Sequence, residues 1–127
     1  MGKRVLIVTD GTQSIQVIAQ SITAALTGCK VKVCTAETFD TTELLPVDVF
    51  FLGCENPNPA SFSYLSQLLQ HINLALKSCG IFSTSGKALK YLDTLVKSCE
   101  AAVGDGLLVD GAVKLAVLKK WLKGVMQ

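Results

Sequence analysis

The chain has 127 residues, a formal net charge of +2, and 50% hydrophobic against 17% charged residues. This length is typical of a single globular domain, so we expect one domain over residues 1–127. The charge is too small to indicate nucleic-acid binding, and the apolar runs are far shorter than the ~20 residues of a membrane-spanning helix. The start of the chain does not resemble a signal peptide, so we expect a cytoplasmic protein.

The residues that commonly bind metals or perform catalysis are few and scattered. Five cysteines occur without a C-x-x-C pair, and His71 is the single histidine. This pattern disfavours both a zinc site and a disulfide framework. We also find no Ser/His/Asp, Cys/His or paired-carboxylate arrangement, so an enzyme with its own catalytic side chains is the weakest of the functional hypotheses.

The first half of the chain contains three predicted strands. Residues 4–8 form an uninterrupted apolar run, which is typical of a strand covered on both faces. Apolar residues then recur at helical spacing over residues 15–26. Residues 29–35 alternate Val with Lys and predict a second strand, residues 41–43 predict a single helical turn, and residues 47–52 predict a central third strand.

The second half continues the alternation of strands and helices. Helical spacing of apolar residues predicts helices over residues 61–76, 89–99 and 112–125, and short apolar runs predict strands at 79–83 and 107–109. Five strands alternating with helices predict a three-layer α/β/α sandwich around a five-stranded parallel sheet. Ligands of such sheets bind at the carboxyl ends of the strands, so the loop after the first strand is expected to form one wall of any site.

Three other ligand-binding classes of this architecture are disfavoured by specific residues. A phosphoacceptor receiver domain needs an Asp after the third strand, where this chain has Gly53 and Cys54. No G-x-G-x-x-G motif follows a strand, which disfavours a dinucleotide-binding domain. The run over residues 80–88 is one residue too long for a nucleotide P-loop and has Ala88 in place of the required hydroxyl.

Three loops resemble those of the flavodoxin family, and the order of elements matches along nearly the whole chain. The family's phosphate loop, roughly S/T-x-T-G-x-T, corresponds to Thr9, Asp10, Gly11, Thr12, Gln13 and Ser14. The family's hydrophobic-G-S/C-x-T-aromatic pattern corresponds to Gly53 followed by Cys54, Glu55, Asn56, Pro57 and Asn58. The F-G-x-G-D loop corresponds to Phe82 followed by Ser83, Thr84, Ser85 and Gly86.

This resemblance implies a flavodoxin-like fold, an FMN cofactor and electron transfer to a redox protein partner. It places the FMN phosphate in residues 9–14 and the flavin ring between residues 54–58 and 83–86. Hydroxyl groups, a glycine and the N-terminus of a helix are well suited to a phosphate. Independently of this resemblance, the apolar last helix is consistent with a monomer or a weak homodimer, in which Trp121 lies either on the sheet or in a dimer face.

Four departures from the family pattern support a second hypothesis. The phosphate loop is shorter by about one or two residues, and Asp10 adds a negative charge to it. Pro57 stands where an aromatic residue would stack on the flavin. Either Phe62 or Tyr64 would then have to provide the stacking ring, and the alternative is that both side chains pack in the core. Flavodoxins are typically acidic, whereas this chain is mildly basic. The alternative is a flavodoxin-fold protein without FMN that acts as a ligand-binding or protein-interaction module.

Overall fold

The computed structural model describes residues 3–126. Strands and helices alternate along the chain, with one turn of 3-10 helix before α3. The elements are β1 (Arg4–Thr9), α1 (Gln13–Ala25), β2 (Lys30–Thr35), α2 (Thr41–Leu44), β3 (Val49–Gly53), the 3-10 turn (Ala60–Phe62), α3 (Ser63–Gln70), β4 (Ser78–Ser83), α4 (Gly86–Ser98), β5 (Ala102–Val103), β6 (Leu107–Leu108) and α5 (Leu115–Val125).

The strands form one parallel sheet in the order β2-β1-β3-β4-β5, with β6 also paired to β4. β5 pairs with residues 78–79 of β4, and β6 pairs with residues 82–83. The predicted fifth strand, at residues 107–109, corresponds to β6, and β5 is an additional short segment on the same edge of β4. The order 2-1-3-4-5 is that of the flavodoxin-like doubly wound sheets.

Helices cover both faces of the sheet, which confirms the predicted three-layer sandwich. Alternate residues of β1 enter two separate cores: Val5 and Ile7 pack with α1 and α5, while Leu6 and Val8 pack with α2, α3 and α4. Because both faces of β1 are buried, its sequence is a continuous apolar run instead of an alternating one.

Two predicted helices are too long, and one short strand was not predicted. α3 ends at Gln70 instead of continuing to residue 76. A turn follows in which the Asn73 side chain accepts the N–H of Ala75, at 2.9 Å, so that Leu74 is buried and Leu76 is fully exposed. β5 was not predicted, and α5 begins at Leu115 instead of residue 112.

Trp121 packs on the sheet, which is one of the two positions considered from the sequence. Its ring meets those of Phe51 and Phe82 edge-on, with centroid distances of 5.5 and 6.5 Å. Its indole N–H donates to the carbonyl of Asp105 at 2.9 Å. Within residues 3–126, no helix has the length and apolar character needed to cross a membrane.

Candidate ligand site at the carboxyl end of the sheet

Three loops predicted from the sequence lie side by side at the carboxyl end of the sheet. We name them the β1 loop (residues 9–14), the β3 loop (residues 54–58) and the β4 loop (residues 83–86). The parallel pairing aligns Thr9 with Gly53 and Gly53 with Phe82, so the three strands end at the same level. The carbonyl of Cys54 accepts the Ser83 hydroxyl at 2.6 Å, joining the β3 and β4 loops.

The β1 loop is folded around the Asp10 carboxylate. Thr12 donates to Asp10 Oδ1 through both its N–H, at 3.1 Å, and its hydroxyl, at 2.7 Å. The other oxygen, Oδ2, accepts the N–H of Glu55 at 2.8 Å, which ties the β1 loop to the β3 loop. Gly11 has a φ of 83°, a backbone conformation that glycine adopts without strain. Asp10 therefore has a structural role that its position in the sequence did not reveal.

The N-terminus of α1 lacks a side-chain cap and lies next to a hydroxyl that has no partner within residues 3–126. Thr12 occupies the N-cap position, but its hydroxyl is bonded to Asp10, and no side chain of the described residues caps this helix. The Ser14 hydroxyl is buried and has no hydrogen-bond partner within residues 3–126. Gln13, the first residue of α1, is exposed. Open N–H groups at a helix N-terminus, together with an unsatisfied hydroxyl, are suited to binding an anion.

Thr9 closes the base of the β1 loop. Its side chain is fully buried, and its hydroxyl oxygen accepts the N–H of Gly11 at 3.2 Å. It also donates to the side-chain oxygen of Gln16 at 3.4 Å. Gln16 was not among the residues predicted from the sequence. The available signal was its position one helical turn after Thr12 and Gln13, which places it on the same end of α1 as the loop.

Cys54 is buried beneath the β3 loop and is not a reactive thiol. Burial, followed by the negative charge of Asp10, raises the pKa of the Cys54 thiol to about 12. Since the thiolate is the nucleophilic form, this cysteine stays protonated and inert at neutral pH. The remainder of the loop is more accessible: Asn56, Pro57 and Asn58 are exposed, and Asn58 has a positive φ of 50°.

The two aromatic residues that follow the β3 loop occupy different environments. Phe62 is fully buried in the core that contains α3 and α4, so it cannot stack on a ligand. Tyr64 is about half exposed, and its ring lies 6.4 Å from that of Phe39. Of the two, Tyr64 is the residue whose ring a ligand can reach.

The β4 loop satisfies its own polar groups. The buried Ser83 hydroxyl, besides donating to Cys54, accepts the N–H of Ser85 at 3.0 Å. The Ser85 hydroxyl in turn accepts the N–H of Ala88 at 3.4 Å and caps α4. Thr84 and Gly86 are exposed. Only the exposed residues of this loop are therefore accessible to a ligand.

One large cavity lies away from these loops. Its volume is about 860 Å³, and its lining includes Lys3, Asp48 and Ser78, which lie at the amino ends of their strands. Ligands of parallel α/β sheets bind at the opposite, carboxyl end. We therefore assign the candidate site to the three loops and not to this cavity.

Comparison with known proteins supports the fold. No protein-family model and no curated protein matches the sequence. The structure is similar to the flavodoxin of Streptococcus pneumoniae TIGR4, with a TM-score of 0.81 and 18% identity over 97% of both chains. It is similar to a short-chain flavodoxin associated with a non-canonical PDU bacterial microcompartment, with a TM-score of 0.82 and 16% identity over 99% of this chain and 97% of that chain. A third similar structure, oxidised flavodoxin 2 from Bacillus cereus, has a TM-score of 0.77 and 20% identity over 97% of this chain and 95% of that chain. The chain therefore has the flavodoxin-like fold that its sequence predicts.

Proposed function

We propose that this protein is a small electron carrier that binds FMN at the carboxyl end of its sheet. The observation that carries the proposal is the Ser14 hydroxyl, buried at the uncapped N-terminus of α1 without a partner among the described residues. An unpaired buried hydroxyl costs about 1–3 kcal/mol, and a bound phosphate would remove this cost. The similarity of the fold to flavodoxins supports FMN as the source of that phosphate.

The residues fit the phosphate end of FMN better than the flavin end. The first N–H groups of α1 and the Ser14 hydroxyl would hold the phosphate. The flavin ring would lie against the exposed residues of the β3 and β4 loops, which would limit its contact with water. These residues are Asn56, Pro57, Asn58, Thr84 and Gly86. Bound FMN supplies the redox chemistry, so the chain needs no acid, base or nucleophile of its own.

The partner in this proposal is a redox protein. The chain is mildly basic, and α5 carries Lys119, Lys120 and Lys123 at exposed positions. Complementary charges steer the encounter of two proteins. A partner with an acidic docking surface therefore matches this chain better than a basic one does.

Flavin titration tests the proposal. The purified protein is examined for flavin absorbance and then titrated with FMN while flavin fluorescence is followed. We expect quenching in the wild type and affinity about tenfold or more lower in Ser14→Ala, since a hydrogen bond to a charged group contributes about 1.5–3 kcal/mol. Ser21→Ala is the matched control, because Ser21 lies on α1 and bonds only within the helix, to the carbonyl of Val17. An absence of absorbance and quenching at micromolar protein would contradict FMN binding.

A second candidate function is a ligand-binding or protein-interaction module without flavin. The observation that favours it is the Asp10 carboxylate, which occupies donors of the β1 loop that could otherwise bind a phosphate. Pro57, in place of a stacking aromatic residue, points in the same direction. Under this alternative the folded protein fails to quench FMN fluorescence, and Ser14→Ala changes nothing in the titration.

A further inference from the structure

The donors of the β1 loop are already used within the protein. The N–H of Asp10 donates to the carbonyl of Gly53 at 3.2 Å, and the N–H of Gly11 donates to the Thr9 hydroxyl. The N–H and hydroxyl of Thr12 both donate to Asp10. A phosphate entering the loop would therefore find only the first turn of α1 and the Ser14 hydroxyl available.

Asp10 also supplies the negative charge that a phosphate would bring. Its carboxylate is bonded to Thr12, the N-cap residue of α1, and so lies beside the positive end of the helix dipole. A dianionic phosphate at the same helix end would be close to this fixed charge. Like charges a few ångströms apart repel one another, most strongly where water is partly excluded. The repulsion opposes the attraction of α1 and Ser14 for the phosphate.

We infer that Asp10 makes the site indifferent to the phosphate group, so that riboflavin binds about as tightly as FMN. The inference rests on the proposed flavin-binding function and specifies its ligand class as flavins with or without a terminal phosphate. Asp10 is in this view the residue that determines ligand specificity. It acts by occupying the loop donors and by repelling the phosphate, which offsets the attraction of α1 and Ser14 for that group.

The test compares the dissociation constants of riboflavin and FMN, measured by quenching of flavin fluorescence. For the wild type we expect the two constants to agree within about threefold. In Asp10→Ser, which removes the charge and releases the N–H groups of Thr12 and Glu55, we expect the preference to move toward FMN by about tenfold or more, the equivalent of about 1.4 kcal/mol. Asp48→Ser is the matched control, since Asp48 also accepts a backbone N–H, that of Arg4 at 3.0 Å, but at the opposite end of the sheet.

Asp10→Asn serves as a second variant if Asp10→Ser fails to fold, because it removes the charge and keeps the side-chain volume. A wild type that prefers FMN by a hundredfold, or an Asp10 variant whose preference equals that of the wild type, would overturn the inference. If neither flavin binds, the proposed function fails, and titration with inorganic phosphate decides the inference separately. The amide NMR signals of Thr12 and Ser14 should respond to phosphate in the Asp10 variant and not in the wild type, and equal responses would overturn it.

Discussion

The β1 and β4 loops begin in the same way and end differently. Thr9 and Ser83 are the last residues of β1 and β4, which lie on either side of β3, and both side chains are fully buried. Each hydroxyl accepts the N–H of the residue two positions later, Gly11 at 3.2 Å and Ser85 at 3.0 Å. The two loops thus leave the sheet through the same kind of turn.

The difference lies at the helix that follows each loop. Ser85 caps α4 with its own side chain, whereas α1 has no side-chain cap from the described part of the chain. The hydrogen bonds of the β4 loop therefore include a cap for its helix, whereas those of the β1 loop leave the first turn of α1 uncapped. The comparison shows that two equivalent strand-to-helix turns of one sheet differ in whether a side chain caps the helix that follows.

The largest expected loss of stability comes from removing the two hydrogen bonds of Ser83 in the β4 loop. Ser83→Ala removes the donor to the Cys54 carbonyl and the acceptor of the Ser85 N–H, so two groups lose their partner. We expect the free energy of unfolding to fall by about 2–3 kcal/mol. Urea denaturation followed by the fluorescence of Trp121, the single tryptophan, measures this loss. Thr84→Ala, in the same loop but exposed, should change it by less than about 0.5 kcal/mol.

A smaller effect on stability is expected from ionisation of Cys54, which follows β3 and therefore lies between the β1 and β4 loops. The pKa of its thiol is raised from 9.0 to about 12 in the folded protein, so the unfolded chain releases this proton first as the pH rises. Stability is therefore unaffected below about pH 9 and decreases between about pH 9 and 12. At pH 10 this group should account for a loss of about 1 kcal/mol relative to pH 8. Urea midpoints at the two pH values should differ less in Cys54→Ala, and an identical difference in both proteins would contradict the assignment.

The smallest expected changes in stability come from single serine substitutions at the N-termini of α1 and α4, and they test the comparison of these two helix ends. Ser85→Ala removes the cap of α4 and should cost about 0.5–1 kcal/mol, since the bond it loses is long, at 3.4 Å. Ser14→Ala removes a buried hydroxyl that has no partner within residues 3–126, and with it an unfavourable contribution, so the apo protein should lose no stability. Thermal unfolding of the two variants without ligand measures the difference. Equal losses would mean that Ser14 is satisfied inside the protein.

The fold could be predicted because its signals are local. The apolar run of β1 and the helical spacing after Gln13 are properties of adjacent residues, and both are observed in the structure. The error in α3 arose because Ile72 and Leu76 continue the helical spacing beyond Gln70, although Asn73 forms a turn there. β5 has only two residues, too few for any periodic pattern to indicate a strand.

The positions of the site loops could also be predicted, but the state of their polar groups could not. That Asp10 follows a buried strand and precedes a helix is evident from the sequence. That its carboxylate accepts the N–H of Glu55 depends on the distance between two loops separated by 45 residues along the chain. The same limit applies to Ser14, whose lack of a partner among the described residues depends on which groups surround it in the folded protein.

The interrupted edge formed by β5 and β6 has a consequence for behaviour at high concentration. An exposed edge strand offers a row of unpaired backbone groups to which another chain can add, and short edge strands reduce this hazard. β5 and β6 have two residues each and are separated by residues 104–106. The opposite edge, β2, carries exposed Lys30, whose charge opposes the approach of a second copy, and Lys32, which pairs with Glu43. Both borders of an otherwise apolar sheet are thus protected against intermolecular β-aggregation.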